Sequence, residues 1–70
     1  MKRFIDEIVV HDYRLAEDIA KCLNDMKKPN DNFRFDIEIY EGKTHVETRT
    51  GRVTTYDEPV TVLKIFAIAT

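Results

Sequence analysis

The chain has 70 residues, of which 43% are apolar and 34% charged, with a formal net charge of −2 at pH 7. That length supports one domain, 1–70, near the lower limit of what folds without staples, and that composition excludes a disordered chain. The 11 basic and 13 acidic residues are interspersed, which disfavours both a nucleic-acid-binding stripe and an acidic face that mimics DNA.

Residues 1–10 are ambiguous. Phe4, Ile5 and Ile8 lie on one helical arc, whereas the β-branched pair Val9-Val10 points to a strand. A helix with a break near residues 10–12 is the first expectation, and a short N-terminal strand is the alternative. From Asp12 to Lys28 the pattern is clear. Leu15, Ala16, Ile19, Cys22, Leu23 and Met26 fall within a 120° arc at about 100° per residue. Asp12 is placed as N-cap, Lys27 and Lys28 suit the C-terminal end of the dipole, and Pro29 stops the helix.

After the turn-forming run Pro29-Asn30-Asp31-Asn32, the residues Phe33, Phe35, Ile37 and Ile39 alternate with Arg34, Asp36, Glu38 and Tyr40. This predicts a half-buried strand. A hairpin turn is expected at Glu41-Gly42-Lys43, in a loop from Glu41 to Thr44 that sets Asp36 opposite Arg49. A second strand then carries Val46, Thr48 and Thr50 on one face, with a bulge at Gly51 bringing Val46 and Val53 to one side. Tyr56-Asp57-Glu58-Pro59 turns the chain into a last strand, which is apolar on both alternating faces from Val60 to Ala69.

The expected fold is α+β: an N-terminal helical segment packed on one face of a three-stranded antiparallel meander, or βαβββ if residues 1–10 form a strand. Because one helix shelters only one face of the last strand, its other apolar face calls for a second cover. Leu63, Ile65, Val62 and Phe66 are therefore the expected self-interface. Folding of residues 1–10 over that surplus is the competing expectation.

No residue pattern calls for catalysis, a metal or a cofactor. His11, His45 and Cys22 are too far apart in sequence for a local metal-ligand motif, and Cys22 lies in the helix's apolar arc. His11-Asp12 matches the metal dyad of phosphohydrolases only in its two letters, since such sites need further His and Asp ligands. The chain contains no Ser, and Gly42 and Gly51 stand alone, so neither a serine nucleophile nor a phosphate loop is available. A single cysteine excludes an internal disulfide. Asp6 and Glu7 interrupt the apolar run a signal peptide needs, and no stretch is long and apolar enough for a membrane span, so a cytoplasmic setting is expected.

The function expected is that of a small non-enzymatic interaction protein, a homo-oligomer that regulates or inhibits a protein partner. Partner contacts are assigned to Tyr13, Arg34, Glu38, Tyr40, His45, Arg49 and Tyr56, since Tyr and Arg dominate binding hot spots. In style, though on no motif, the chain resembles the short accessory proteins of bacteriophages and mobile elements. The alternatives are an oligomer that binds a small ligand or nucleotide at a subunit seam through Arg34, Arg49, Arg52 and Tyr56, and a weak acid–base enzyme using His45 with Glu47 or Glu38.

Overall fold

The structure is a computed structural model that describes residues 1–26 and 32–69. It contains β1 (Lys2–Val10), α1 (Tyr13–Met26), β2 (Phe33–Val46) and β3 (Val53–Ala69). The strands form one antiparallel sheet in the order β1-β3-β2, with the helix on one face. The α+β class and the single helix on a three-stranded antiparallel sheet are as the sequence pattern implied. What differs is which segments supply the strands.

Residues 2–10 take the alternative course and form a strand rather than a helix. β1 pairs with β3 from Lys2↔Ile68 to Val10↔Thr61, and the register slips between Phe4 and Asp6. Ile5 is thus an extra residue, a β-bulge that breaks the period of two. Upstream of it Phe4 shares a face with Phe66; downstream, Ile8 and Val10 turn to the opposite face beside Leu63. The inserted residue scrambles the alternation and leaves Phe4, Ile5 and Ile8 spaced as on a helix. This is the physical reason the helical expectation fails here.

The helix itself starts where expected. Asp12 accepts a hydrogen bond from the Arg14 N–H through Oδ1 at 2.9 Å, and its carbonyl accepts from the Ala16 N–H at 3.2 Å. Asp12 is therefore the N-cap. The C-terminal features assigned to Lys27, Lys28 and Pro29 lie outside the described residues. Ala16 is fully buried, and Ile19, Ala20 and Leu23 lean on the sheet alongside it. Their counterparts are Ile8 and Val10 on β1, Leu63 and Ile65 on β3, and Phe35, Ile37 and Ile39 on β2. Each fully buried aliphatic side chain in this layer contributes about 1.5–3 kcal/mol.

The expected turn at Glu41-Gly42-Lys43 is absent. β2 continues through these residues, and Asp36 lies opposite Phe66 rather than Arg49. The reversal comes later, over Thr48–Gly51. There the Gly51 N–H donates to the Glu47 carbonyl and the Glu47 N–H donates to the Arg52 carbonyl, both at 2.8 Å. Gly51 has φ of 74°, so it supplies the left-handed residue that closes the loop. Val46 and Val53 are paired across this loop, so they do share a side, but through a turn rather than a bulge.

The irregularity lies further back. Gly42 pairs with Val60 and Thr44 with Thr55, which leaves the four residues Tyr56–Pro59 opposite Lys43 alone. The segment expected to turn into the last strand is instead a large bulge inside β3, where Pro59 has no N–H to contribute to the ladder. At this bulge the hairpin bends, and its outer part, the arm of residues 43–59, folds back over the sheet face away from the helix. His45 and Thr48 of the arm reach Glu7 on β1, and Arg49 reaches the Ile5 carbonyl.

The surplus apolar surface of β3 is thus covered by the chain itself. Leu63 and Ile65, 0% and 6% exposed, face the helix, while Val62 lies under the arm and shares a small cavity with Thr44, His45 and Val46. Their assignment to an interface with another chain is corrected accordingly. Residues 1–10, foreseen as an intramolecular cover for the second face, pair at the edge of β3 instead. Phe66 is half-buried, edge-on to Phe4 with centroids 5.7 Å apart.

Leu63→Ala should therefore lower unfolding free energy by about 2–5 kcal/mol, a large part of the total for so small a domain. Chemical denaturation would show it as a lower midpoint. Leu63→Glu should abolish folding; a folded Leu63→Glu protein would contradict the central placement of this residue.

Candidate functional site

Among the described residues, a buried polar pair lies where the arm meets β1. Glu7 points to the face away from the helix, opposite Lys64 on β3. Its side chain is 12% exposed, and that of His45 is 7% exposed. Glu7 Oε2 accepts the Thr48 N–H at 2.9 Å. Glu7 Oε1 lies 2.9 Å from His45 Nε2 yet takes no well-aligned hydrogen bond among the described residues, so this contact is a close ion-pair distance rather than a linear bond. Burial alone would raise the Glu7 carboxyl. The hydrogen bonds from Thr48 and the charges of His45 and Lys64 together outweigh it, and the group is held below its ordinary value of 4.5.

Beside this latch, the open face carries a polar and aromatic row. Lys2 Nζ is 2.9 Å from Asp36 Oδ2, also pairs with Glu38, and stands 4.3 Å from the centre of the Phe66 ring. Tyr40 donates its hydroxyl proton to Glu38, and Lys64 lies over the Tyr40 ring. Glu38 raises the Lys2 amine, with Asp36 assisting, while Lys2 and then Tyr40 lower the Glu38 carboxyl. These groups are exposed, and solvent screens such pairs, so they set local geometry more than stability.

The structure brings together only part of the expected contact set. Glu38 and Tyr40 are joined on the outer face of β2, with Arg34 further along the same strand opposite Ile68. Tyr13 is exposed at the start of the helix, away from that row. Tyr56 sits in the bulge, at the opposite end of β2 from Arg34. His45 is buried in the latch and is not available to a partner. The four residues Arg34, Arg49, Arg52 and Tyr56 do not converge on one seam within the chain. His45 does not meet Glu47 or Glu38 either: Glu47 accepts from the Thr50 hydroxyl, Glu38 is held by Lys2 and Tyr40, and the carboxylate beside His45 is Glu7.

Glu7 was missed as a functional residue because a helical reading of residues 1–10 made it one more solvated charge. The only signal pointing elsewhere was Val9-Val10. Among the described residues, no group of three or more His, Cys, Asp or Glu side chains is placed to hold a metal. No described helix is long and apolar enough to cross a membrane.

A second surface of note lies on the helix. Only Ala16, Ile19 and Leu23 of its apolar arc face the sheet, joined by Ala20 from outside the arc. Leu15 and Met26 remain 49% and 76% exposed, and Cys22 is exposed between them. At 100° per residue these three fall within about 40° of one another, one flank of the helix. No family model matches the chain, and neither a curated protein nor a solved structure matches it.

The latch gives an acid-dependent prediction. Because the folded Glu7 carboxyl titrates below its unfolded counterpart, it adds stability above about the ordinary glutamate value and loses that addition as pH falls through the lowered value. Thermal unfolding of wild type and Glu7→Gln should show a gap at neutral pH that closes in strong acid. A gap independent of pH would mean that the Glu7 charge does not hold the arm.

Proposed function

We propose that the protein is a small non-enzymatic interaction protein that self-associates and regulates or inhibits a protein partner by docking it. The observation that supports this best is the exposed apolar flank of the helix, Leu15-Cys22-Met26. Covering Leu15 and Met26 would contribute up to about 1.5–3 kcal/mol each, enough to matter in an interface of modest size. The flank replaces Leu63, Ile65 and Val62 as the apolar centre of contact. Arg34, Glu38 and Tyr40 on β2 supply a polar patch of the kind that adds specificity to such docking.

The surface has the composition of a docking site rather than of a reaction centre. Leu15 and Met26, its largest apolar side chains, carry no proton-transfer group, and the one buried acid–imidazole pair in the described chain serves to hold the arm. Binding would then depend on shape and apolar contact at the helix, with the β2 row as rim.

Light scattering over a dilution series should detect a species heavier than the 8.2 kDa monomer. The double variant Leu15→Glu/Met26→Glu, altered only at exposed positions, should keep the helical circular dichroism and run as a monomer. A wild-type chain that stays monomeric at every concentration would remove self-association from the proposal. A partner captured equally by wild type and double variant would remove the helix flank.

A further inference from the structure

At the end of the sheet nearest Lys2 and Ala69 lies an open cleft of about 490 Å³, with no α1 residue among its described lining. Its construction follows from the register. Arg3 on β1, Ala67 on β3 and Phe35 on β2 are cross-strand neighbours in a single row. The Ala67 methyl forms the floor because it is the smallest side chain on that row. Phe33 and Phe35, edge-to-face with centroids 5.3 Å apart, form one wall. Arg3 and the bulged Ile5 form the other, and Arg49 reaches its rim from the tip of the arm.

The two walls differ in chemistry. One is aromatic, and the other carries two guanidinium groups beside Phe4 and Ile5. Arg49 uses one N–H on the Ile5 carbonyl at 2.6 Å, and its guanidinium carbon stands 5.3 Å from the centre of the Phe4 ring. An arginine has five N–H donors, so most of those on Arg49 are unspent. Among the described residues, neither Arg3 nor Arg49 lies within ion-pair distance of a carboxylate; the ion pairs present there involve Lys2 and His45. A cleft within the size range of small-molecule sites, with an edge-to-face aromatic wall across from two guanidinium groups, selects for a particular ligand.

We infer that this cleft binds a small organic anion with a flat apolar body, of the aryl-carboxylate class. The ring lies over Ala67 against Phe33 and Phe35, and the carboxylate meets Arg3 and Arg49. The bulge at Ile5 gains a role in this arrangement, since it turns a β1 carbonyl toward the arm and so fixes Arg49 at the rim. The site differs from the subunit-seam alternative drawn from the sequence, which grouped Arg49 with Arg34, Arg52 and Tyr56. It is also independent of the helix flank, and either can fail without the other.

The test is amide-shift mapping of the full chain titrated with 4-phenylbutyrate, with 4-phenylbutanamide as the neutral control of the same shape. Saturable shifts confined to the cleft residues Arg3, Ile5, Phe33, Phe35, Arg49 and Ala67 are expected for the acid, with the amide binding about tenfold more weakly, the loss of one good charge-assisted contact. Arg3→Gln should bring the acid down to the level of the amide. Ala67→Leu, which fills the floor, should abolish binding of both while leaving the remaining amide spectrum in place. Arg49→Gln is a poorer variant, because that side chain also ties the arm to β1. Equal affinity for acid and amide, shifts centred elsewhere, or no saturation would each overturn the assignment. If Ala67→Leu does not fold, Arg3→Gln and the amide control decide the matter by themselves.

Discussion

Both faces of β3 must be kept from water, and the shape of the molecule answers to that requirement. Leu63 and Ile65 project to one side, Val60 and Val62 to the other, and all four are buried. A central strand with two apolar faces needs a layer above and a layer below. The helix is one layer. The chain supplies the other by bending its own hairpin at the Tyr56–Pro59 bulge and laying the arm back across the sheet.

Holding the arm down takes polar contacts, because its inner surface is not apolar enough to stay by burial alone. Glu7 receives the Thr48 N–H and lies against His45, and Arg49 donates to the Ile5 carbonyl. A buried carboxylate is costly unless paired and hydrogen-bonded. Here the cost is offset by drawing its partners, His45 and Thr48, from a segment about forty residues away in sequence, which makes the contact a tie between the first strand and the hairpin tip. The arrangement also places Arg49 beside β1, where it joins Arg3 at the mouth of the cleft.

The helix is the less satisfied layer. Its N-terminus is capped by Asp12 and Ala16 packs closely on the sheet, but the flank with Leu15, Cys22 and Met26 is left outside. The two sheet edges are protected differently. β1 carries a bulge, and β2 carries charged side chains along most of its length, both of which discourage strand addition. Strand addition is thus disfavoured at both edges, while the helix flank and Tyr40 in the outer row of β2 stay exposed.

Local chemistry by itself determined several parts of this protein. The helix and its Asp12 cap, the half-buried alternation of Phe33 to Ile39 and the two-faced character of the last strand are all legible, because each depends on residues within a turn or two of one another; which flank of the helix is buried was not, since Leu15, Cys22 and Met26 of the expected arc face outward. The nature of residues 1–10 was not legible, since a single bulged residue at Ile5 destroys the period that would have marked a strand. Nor was the position of the hairpin: Glu41-Gly42-Lys43 has turn composition, yet the ladder between β2 and β3 runs through it, because the four residues of the bulge absorb the mismatch. What covers the second face of β3, and which carboxylate meets His45, was settled only by tertiary structure. Those outcomes depend on contacts between residues about forty positions apart, and no local pattern carries that information.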